Sequence, residues 1–414
     1  MTHMYGFNYD QKINKKVSIT PGGVMNVNID NPVTAFGDLT TAELTPQVHL
    51  TFPYEYIDPD IVTVGTSNGG SSFAGDSMLG ISTGTATNGS AYFESRDIVK
   101  HFTGLGSMVR FTCIYNDGTG VANSEQLAGI GDEENGYFFG YNGTSFGTVQ
   151  IYNNSADWTY QSDWNLDTFD GTNNGNPSGI NLDTSRINLF QIEYQWSGGG
   201  QIQYSIENPD TGLLTPVNKV KFSNVKAPVL ANPSLPLTGR VKNLGNNTNI
   251  FIKIVSMGGF VQGKSIISGP IKSYFRQTTL MSSNTETVMF SLKNSELINN
   301  GLINRIRVYF KIFSSANDSN KTAIFSIYRN LTFSFANFTD INNSVMQKSD
   351  TDTPTSFDDN KLILKKFIPK ENGSSLNLES INLFLVPGDI LTVSCKAEST
   401  TDNFTTNLTW IEDF

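Results

Sequence analysis

Apolar and polar side chains alternate with a period of two along much of this chain, and that alternation narrows what it can fold into more than any other feature. In the run Phe190, Ile192, Tyr194, Trp196 the residues between are Gln191, Glu193 and Gln195. The next run repeats it, with Ile202, Tyr204 and Ile206 set against Gln201, Gln203 and Ser205. Successive side chains on a strand point to opposite faces, so each run carries one core face and one wet face. Ser197-Gly-Gly-Gly200 between them reads as a hairpin turn. The same period sets Ile306, Val308, Phe310 and Ile312 against Arg305, Arg307, Tyr309 and Lys311. No amphipathic helix longer than two turns is evident, which argues against an α/β fold.

Turn signals recur at Asn68-Gly69, Asn88-Gly89, Asp117-Gly118, Asn135-Gly136, Asn142-Gly143 and Asp170-Gly171. Each dipeptide tolerates the positive φ of two-residue hairpin turns. Pro387-Gly388-Asp389, between apolar runs at 381–386 and 390–397, reads as a further hairpin. Short strands so punctuated predict β-sandwiches or jelly rolls. The stretch 256–271 interrupts the alternation and has the Gly and Pro content of a connector. The chain is therefore expected to divide into a sandwich over 36–262, a linker over 263–275 and a second sandwich over 276–414. Residues 1–35 read as an N-terminal arm that docks onto a neighbour, or else as an edge strand with a frayed end.

A formal net charge of −10, with no Lys or Arg run that reverses it locally, opposes a phosphate backbone, so nucleic acid is not an expected partner. Lys15-Lys16 and Lys365-Lys366 read as solvated faces. Cys113 and Cys395 lie far apart in alternating segments and read as buried thiols rather than a bridge. No window approaches ~18 apolar residues and the N-terminus lacks the apolar core of a secretory signal, so neither membrane nor secretion is expected. Triplets such as Asn330-Leu-Thr and Asn407-Leu-Thr then reflect Asn abundance.

Two motifs imitate chemistry. Gly258-Gly-Phe-Val-Gln-Gly263-Lys264-Ser265 matches a phosphate-binding loop, but the following Ile-Ile-Ser-Gly269-Pro270 cannot continue the helix whose N-terminal amides such a loop needs. Gly143-Thr-Ser145-Phe-Gly147 matches a nucleophile elbow, but its flanks read as hairpin arms. Only His3, His49 and His101 could supply a base, and no zinc-binding spacing occurs. Asp132-Glu133-Glu134 is the densest acidic cluster, yet neighbouring residues on a strand face opposite ways, so an exposed loop is expected rather than a paired-carboxylate centre. Asp163, Asp167 and Asp170, and Asp350, Asp352, Asp358 and Asp359, could offer oxygens to calcium but lack the spacing of a binding loop. No catalytic residue, cofactor or metal is assigned. Carbohydrate contact is the best suggestion from residue types: Tyr152, Trp158, Tyr160 and Trp164 lie among Asn153, Asn154, Asp157, Gln161 and Asp163, giving flat apolar faces beside hydrogen-bonding groups.

Several segments also carry a family likeness. They are Phe36-Gly-Asp-Leu-Thr-Thr-Ala-Glu-Leu-Thr-Pro, Phe52-Pro-Tyr, Gly129-Ile-Gly-Asp-Glu-Glu-Asn-Gly-Tyr-Phe-Phe-Gly-Tyr-Asn-Gly143, Asn232-Pro-Ser-Leu-Pro-Leu, Asn243-Leu-Gly-Asn-Asn-Thr-Asn249 and Leu408-Thr-Trp-Ile-Glu-Asp-Phe414. On these, residues 36 to 414 resemble a two-domain all-β virion surface protein of tailed bacteriophages, of the head-fibre or capsid-decoration type and in a crAss-like phage setting. The resemblance implies a lectin-like (concanavalin-like) β-sandwich followed by a jelly-roll-like one, carried on the virion surface as a homotrimer. Its implied partners are other capsid or virion proteins, reached through the N-terminal arm. No catalytic residue transfers, and no heptad or collagen-like repeat suggests a long shaft. Three functions follow as expectations: a structural component of a virus particle, a glycan-binding adhesin or receptor-binding protein that meets host surface glycans, and a polysaccharide-degrading enzyme.

Overall fold

A computed structural model describes residues 5–8, 13–16, 42–172, 175–196, 200–222, 230–282, 285–298, 301–397 and 400–414. The expected docking arm, the alternating stretch 24–29, the signature at 36–41 and the tip of the Ser197–Gly199 turn lie outside these residues. Residues 1–44 form one compact unit, known through the antiparallel pair Tyr5–Asn8 and Ile13–Lys16. Residues 45–414 form the other.

Two sheets built from residues 45–262 face each other. In one, seven strands run in the order Ser155–Tyr160, Ser145–Tyr152, Gly136–Asn142, Ser124–Gly131, Leu235–Asn243, Ser90–Val99 and Val62–Ser67. In the other, Leu214–Phe222, Gly200–Glu207, Asn188–Tyr194, Gly106–Tyr115, Phe251–Gln262, Met78–Ser82 and Ser71–Gly75 follow one another, and residues 45–51 also pair with Phe251–Gln262. The hairpin expected at 190–206 forms with Phe190 opposite Ile206, Ile192 opposite Tyr204 and Tyr194 opposite Ile202, which puts every apolar member on the inner face. Phe139 of the seven-stranded sheet meets Phe190 of the other with ring centroids 4.8 Å apart, and Phe190 stacks on Phe111 at 5.4 Å. Each such ring contributes roughly 1.5–3 kcal/mol by leaving water.

Beyond Gln262 a second all-β sandwich has its own core around Trp410, Phe310, Phe325 and Phe404. One sheet orders Ile271–Ser282, Thr400–Asp413, Arg307–Asn317 and Asn372–Asn377, with Phe384–Leu385 also paired to Arg307–Asn317. The other orders Thr339–Asp340, Met346–Ser349, Thr287–Asn294, Ile390–Ala397, Ala323–Arg329 and Leu362–Ile368. Helical structure among the described residues is limited to single 3-10 turns at Gln161–Asp163, Asp359–Lys361 and Glu379–Ile381.

Four expectations need correction. Residues 256–262 are no connector, because the strand Phe251–Gln262 runs through them. Gly259 is small there because a Cβ would lie 2.1 Å from Val99 Cγ2 in the core. Ile312 does not share the inward face of Phe310. A bulge between Phe310 and Ile312 shifts the phase by one residue, so Phe313 is buried and Ile312 exposed. Among the Gly dipeptides, Asn142-Gly143 marks a two-residue hairpin loop, Gly143-Thr144, closed by Asn142 opposite Ser145. Asn68-Gly69, Asn88-Gly89 and Asp117-Gly118 instead carry the chain from one sheet to the other. Pro387-Gly388-Asp389 does the same between Phe384–Leu385 and Ile390–Ala397.

The sandwiches meet through charge. Asp389, with no exposed surface, accepts from Arg96 Nη2 at 2.5 Å and Arg329 Nη2 at 2.6 Å. Lys100 Nζ donates to Asp413 Oδ1 at 2.6 Å, Arg305 Nη2 to Asp132 Oδ2 at 2.7 Å, and Arg307 pairs with Asp97. Arg96, Asp97, Lys100 and Asp132 belong to the first sandwich and their partners to the second, so four ion pairs cross the junction.

Candidate functional site

The outward face of the seven-stranded sheet carries the densest mixture of aromatic and polar side chains that the strand register brings together. Residues paired directly across antiparallel strands share a face. One row therefore runs Tyr160, Gly147, Gly140, Leu127, Arg240, Tyr92, Gly65. The adjacent row runs Trp158, Val149, Phe138, Gly129, Thr238, Glu94, Thr63. The middle of both rows is buried, and exposure is confined to the ends, at Trp158 and Tyr160 on one side and Tyr92, Glu94 and Thr63 on the other. Leu127, Phe138, Val149 and Ile151 form a separate buried cluster on this face, with Trp158 packed against it.

Trp158 and Tyr160 sit two residues apart on the edge strand Ser155–Tyr160, so their side chains project the same way. Their rings lie 6.0 Å apart and 12° from parallel. Asn142 Nδ2 donates to the Tyr160 hydroxyl at 3.0 Å, which fixes that ring at the margin of an exposed amide. Toward the middle of the sheet the Arg240 guanidinium lies 5.0 Å from the centre of the Phe138 ring. Arg240 is 4% exposed, and its Nε and Nη2 have no hydrogen-bond partner among the described residues.

Carboxylates at the far side differ in character. Burial raises the Glu94 pKa; Arg305 and Arg240 oppose the rise, while Asp132 and Glu133 add to it. The hydrogen bond and charge of Lys242, at 2.8 Å, hold exposed Glu133 below the usual carboxylate range. Beyond Glu94 the face opens into a cleft of about 360 Å³ between the sandwiches, lined also by Arg96, Asp97, Arg305 and Arg307.

The aromatic residues expected to act together are split. Trp164 is 4% exposed, packs edge-on against Phe139 and Phe146, and donates from Nε1 to the Thr159 carbonyl at 3.2 Å. It is a core residue, drawn inward by the 3-10 turn Gln161–Asp163, and cannot contact a ligand at the surface. Tyr152 is exposed but lies opposite Ser155, on the other face of its strand from Val149 and Trp158. Trp158 and Tyr160 remain together. The acidic loop is structural in part: Asp132 Oδ1 accepts from the Glu134 and Asn135 amides at 2.9 and 2.8 Å, and Oδ2 takes Arg305.

Neither oxygen-rich loop gathers a metal-binding group among the described residues. Asp167 Oδ2 accepts from Ser178 N, Asp170 Oδ1 caps Thr172, and Asp350 takes the Tyr274 hydroxyl and Lys348. The motif at 258–265 lies partly in a strand with no helix after it, and Ser145 opens the strand Ser145–Tyr152. Arg240, Glu94 and Tyr92 were not singled out by sequence. Their one visible signal is odd-even placement on alternating strands, which says that they face outward and nothing of their neighbours.

No protein-family model matches the chain, and no curated protein matches it. Solved structures similar to it include peanut lectin, at 12% identity over 52% of this chain and 98% of that one, TM-score 0.31. Lectin II from Ulex europaeus matches at 10% identity over 53% and 100%, TM-score 0.33. A β-1,3-glucanase from Mycobacterium marinum matches at 11% over 52% and 98%, TM-score 0.34.

Proposed function

We propose that this chain is a carbohydrate-binding protein whose receptor surface lies at the edge of the seven-stranded sheet, around Trp158, Tyr160 and Asn142. The observation that carries the reading is the parallel Trp158–Tyr160 pair on one outward strand face, beside the exposed Asn142 amide. Sugars offer apolar C–H faces and hydroxyls at once, and the Trp158 and Tyr160 rings beside the exposed Asn142 amide answer both. The test is glycan-array binding by the wild type and by a Trp158→Ala, Tyr160→Ala double variant. Binding should fall at least tenfold in the double variant and persist in Trp164→Phe. Wild type that binds no glycan, or a double variant that binds equally, refutes the reading.

Binding without turnover is the form of the proposal that the carboxylates support. A glycosidase of the usual kind needs one protonated and one ionised carboxyl flanking the bond. Glu94 and Glu133 shift in the two directions such a pair needs, but Glu133 is exposed and tied to Lys242, and Asp132 is committed to its loop and Arg305. Reducing ends released from a bound polysaccharide, and lost in Glu94→Gln or Glu133→Gln, would replace binding with catalysis.

The sequence resemblance supports a second, compatible reading in which this surface is displayed on a virus particle as a homotrimer. Antibody labelling of intact virions, together with the solution mass of the purified chain, tests it. A monomer absent from particles removes it.

A further inference from the structure

A cavity of about 710 Å³ lies in the second sandwich rather than on the proposed glycan face. Its walls include the turn at Asn342-Asn343-Ser344, the apolar Leu297 and Ile298, and the carboxylates of Asp340 and Glu412. Glu412 has no exposed surface. Its Oε1 is occupied, accepting from Trp410 Nε1 at 3.1 Å and from the Ser344 hydroxyl. Its Oε2 is buried and has no hydrogen-bond partner among the described residues. A buried carboxylate oxygen left unsatisfied is costly, and a donor supplied from the cavity would relieve that cost. Among the described residues the lining has one cation, Lys293, which lies 3.5 Å from Glu296. Asp340, exposed, accepts from Gln347 at 2.9 Å, and neither it nor Glu412 has a cationic partner among the described residues.

We propose that this cavity is a receptor for an alkyl-ammonium group, the chemistry shared by a lysine side chain and a free polyamine. An ammonium carries three donors and a full positive charge, which suits two carboxylates without counter-charge. Its methylene stem suits the apolar Leu297 and Ile298 of the lining. A divalent cation fits less well, because no group of three or more metal-competent side chains converges among the described residues.

The test is calorimetric titration of the full chain at low salt with 1,5-diaminopentane and, separately, with Nα-acetyl-lysine amide. The variants are Glu412→Gln and Asp340→Asn. At least one amine should bind, more weakly as salt rises. Glu412→Gln should weaken it roughly tenfold to a hundredfold, the range of a hydrogen bond to a charged group. Preference for the lysine amide assigns the site to a protein partner, and preference for the diamine to a free polyamine. Asp340 is exposed, so Asp340→Asn keeps the question answerable if Glu412→Gln does not fold, and it should weaken binding several-fold. No binding of either amine at millimolar concentration, or affinity unchanged in the variants that fold, overturns the proposal.

Discussion

Replacing Asp389 by alanine tests whether the two sandwiches are joined by charge. Its carboxylate has no exposed surface and accepts from four donors: Arg96 Nη2 at 2.5 Å, Arg329 Nη2 at 2.6 Å, Asn330 Nδ2 at 2.9 Å and the Val386 amide at 3.3 Å. Alanine removes the anion and strands two guanidinium groups whose side chains keep 20% and 26% of their exposure. Breaking a buried pair by removing one partner costs about 3–5 kcal/mol. Residual hydration of the arginines places the loss near the lower end, about 3 kcal/mol, which is a large part of the ~5–15 kcal/mol that a domain possesses. Asp60 is an internal control. It lies 4.0 Å from Arg96 Nη1 with its side chain 62% exposed, so Asp60→Ala should cost less than ~0.5 kcal/mol. Urea unfolding followed by tryptophan fluorescence gives both numbers. A double-mutant cycle of Asp389→Ala with Arg96→Ala isolates the coupling across the junction. A loss below about 1 kcal/mol for Asp389→Ala, or no coupling in the cycle, refutes the reasoning.

Gly259→Ala should destabilise by about 1–3 kcal/mol, because its Cβ would overlap buried Val99. Gly258→Ala should cost much less, because its Cβ meets only the movable ring of Phe260 at 2.9 Å; equal melting temperatures for the two would contradict the strand register. Burial raises the folded-state pKa of Glu94 above its unfolded value, so the folded chain binds the extra proton between the two. That contribution is complete below the unfolded value, about 4.3, and fades as pH rises through the folded one. Glu94→Gln should therefore be more stable than wild type at pH 7, with the difference vanishing near pH 4; thermal melts across that range show it, and a pH-independent difference would count against it. Burial raises both thiols, Cys395 to about 12 and Cys113 well above its usual value, so Ellman's reagent at pH 8 should label neither in the native chain and both after unfolding.

Strand existence was legible because burial on one face leaves an alternating record, and the 190–206 hairpin keeps the register that record implies. Strand destination was not. A Gly dipeptide permits positive φ, but whether the chain then re-enters its own sheet or crosses to the facing one depends on the layer that lies opposite. Two-residue hairpin turns form instead at Asp76-Ser77, φ 54° and 59°, and at Asn153-Asn154, φ 47° and 65°, with no glycine to advertise them. The phase of Ile312 was lost to a single inserted residue, Lys311, whose pairing with Glu379 suits an outward position. Trp158 and Trp164 look alike in composition, and only the 3-10 turn between them decides that one packs at the surface and the other inside. The junction was invisible for a different reason: Arg96 and Asp389 are 293 residues apart, and nothing local marks either as half of a pair.

The junction also bears on how the molecule would carry a load. Residues 263–270 are the single covalent route between the sandwiches, and four ion pairs lie in parallel with it. A pull transmitted from one sandwich to the other is shared among those contacts before the connecting segment is drawn straight. Such a joint is stiff against small displacements and yields in steps, and because its charges are largely withdrawn from water, added salt loosens it little.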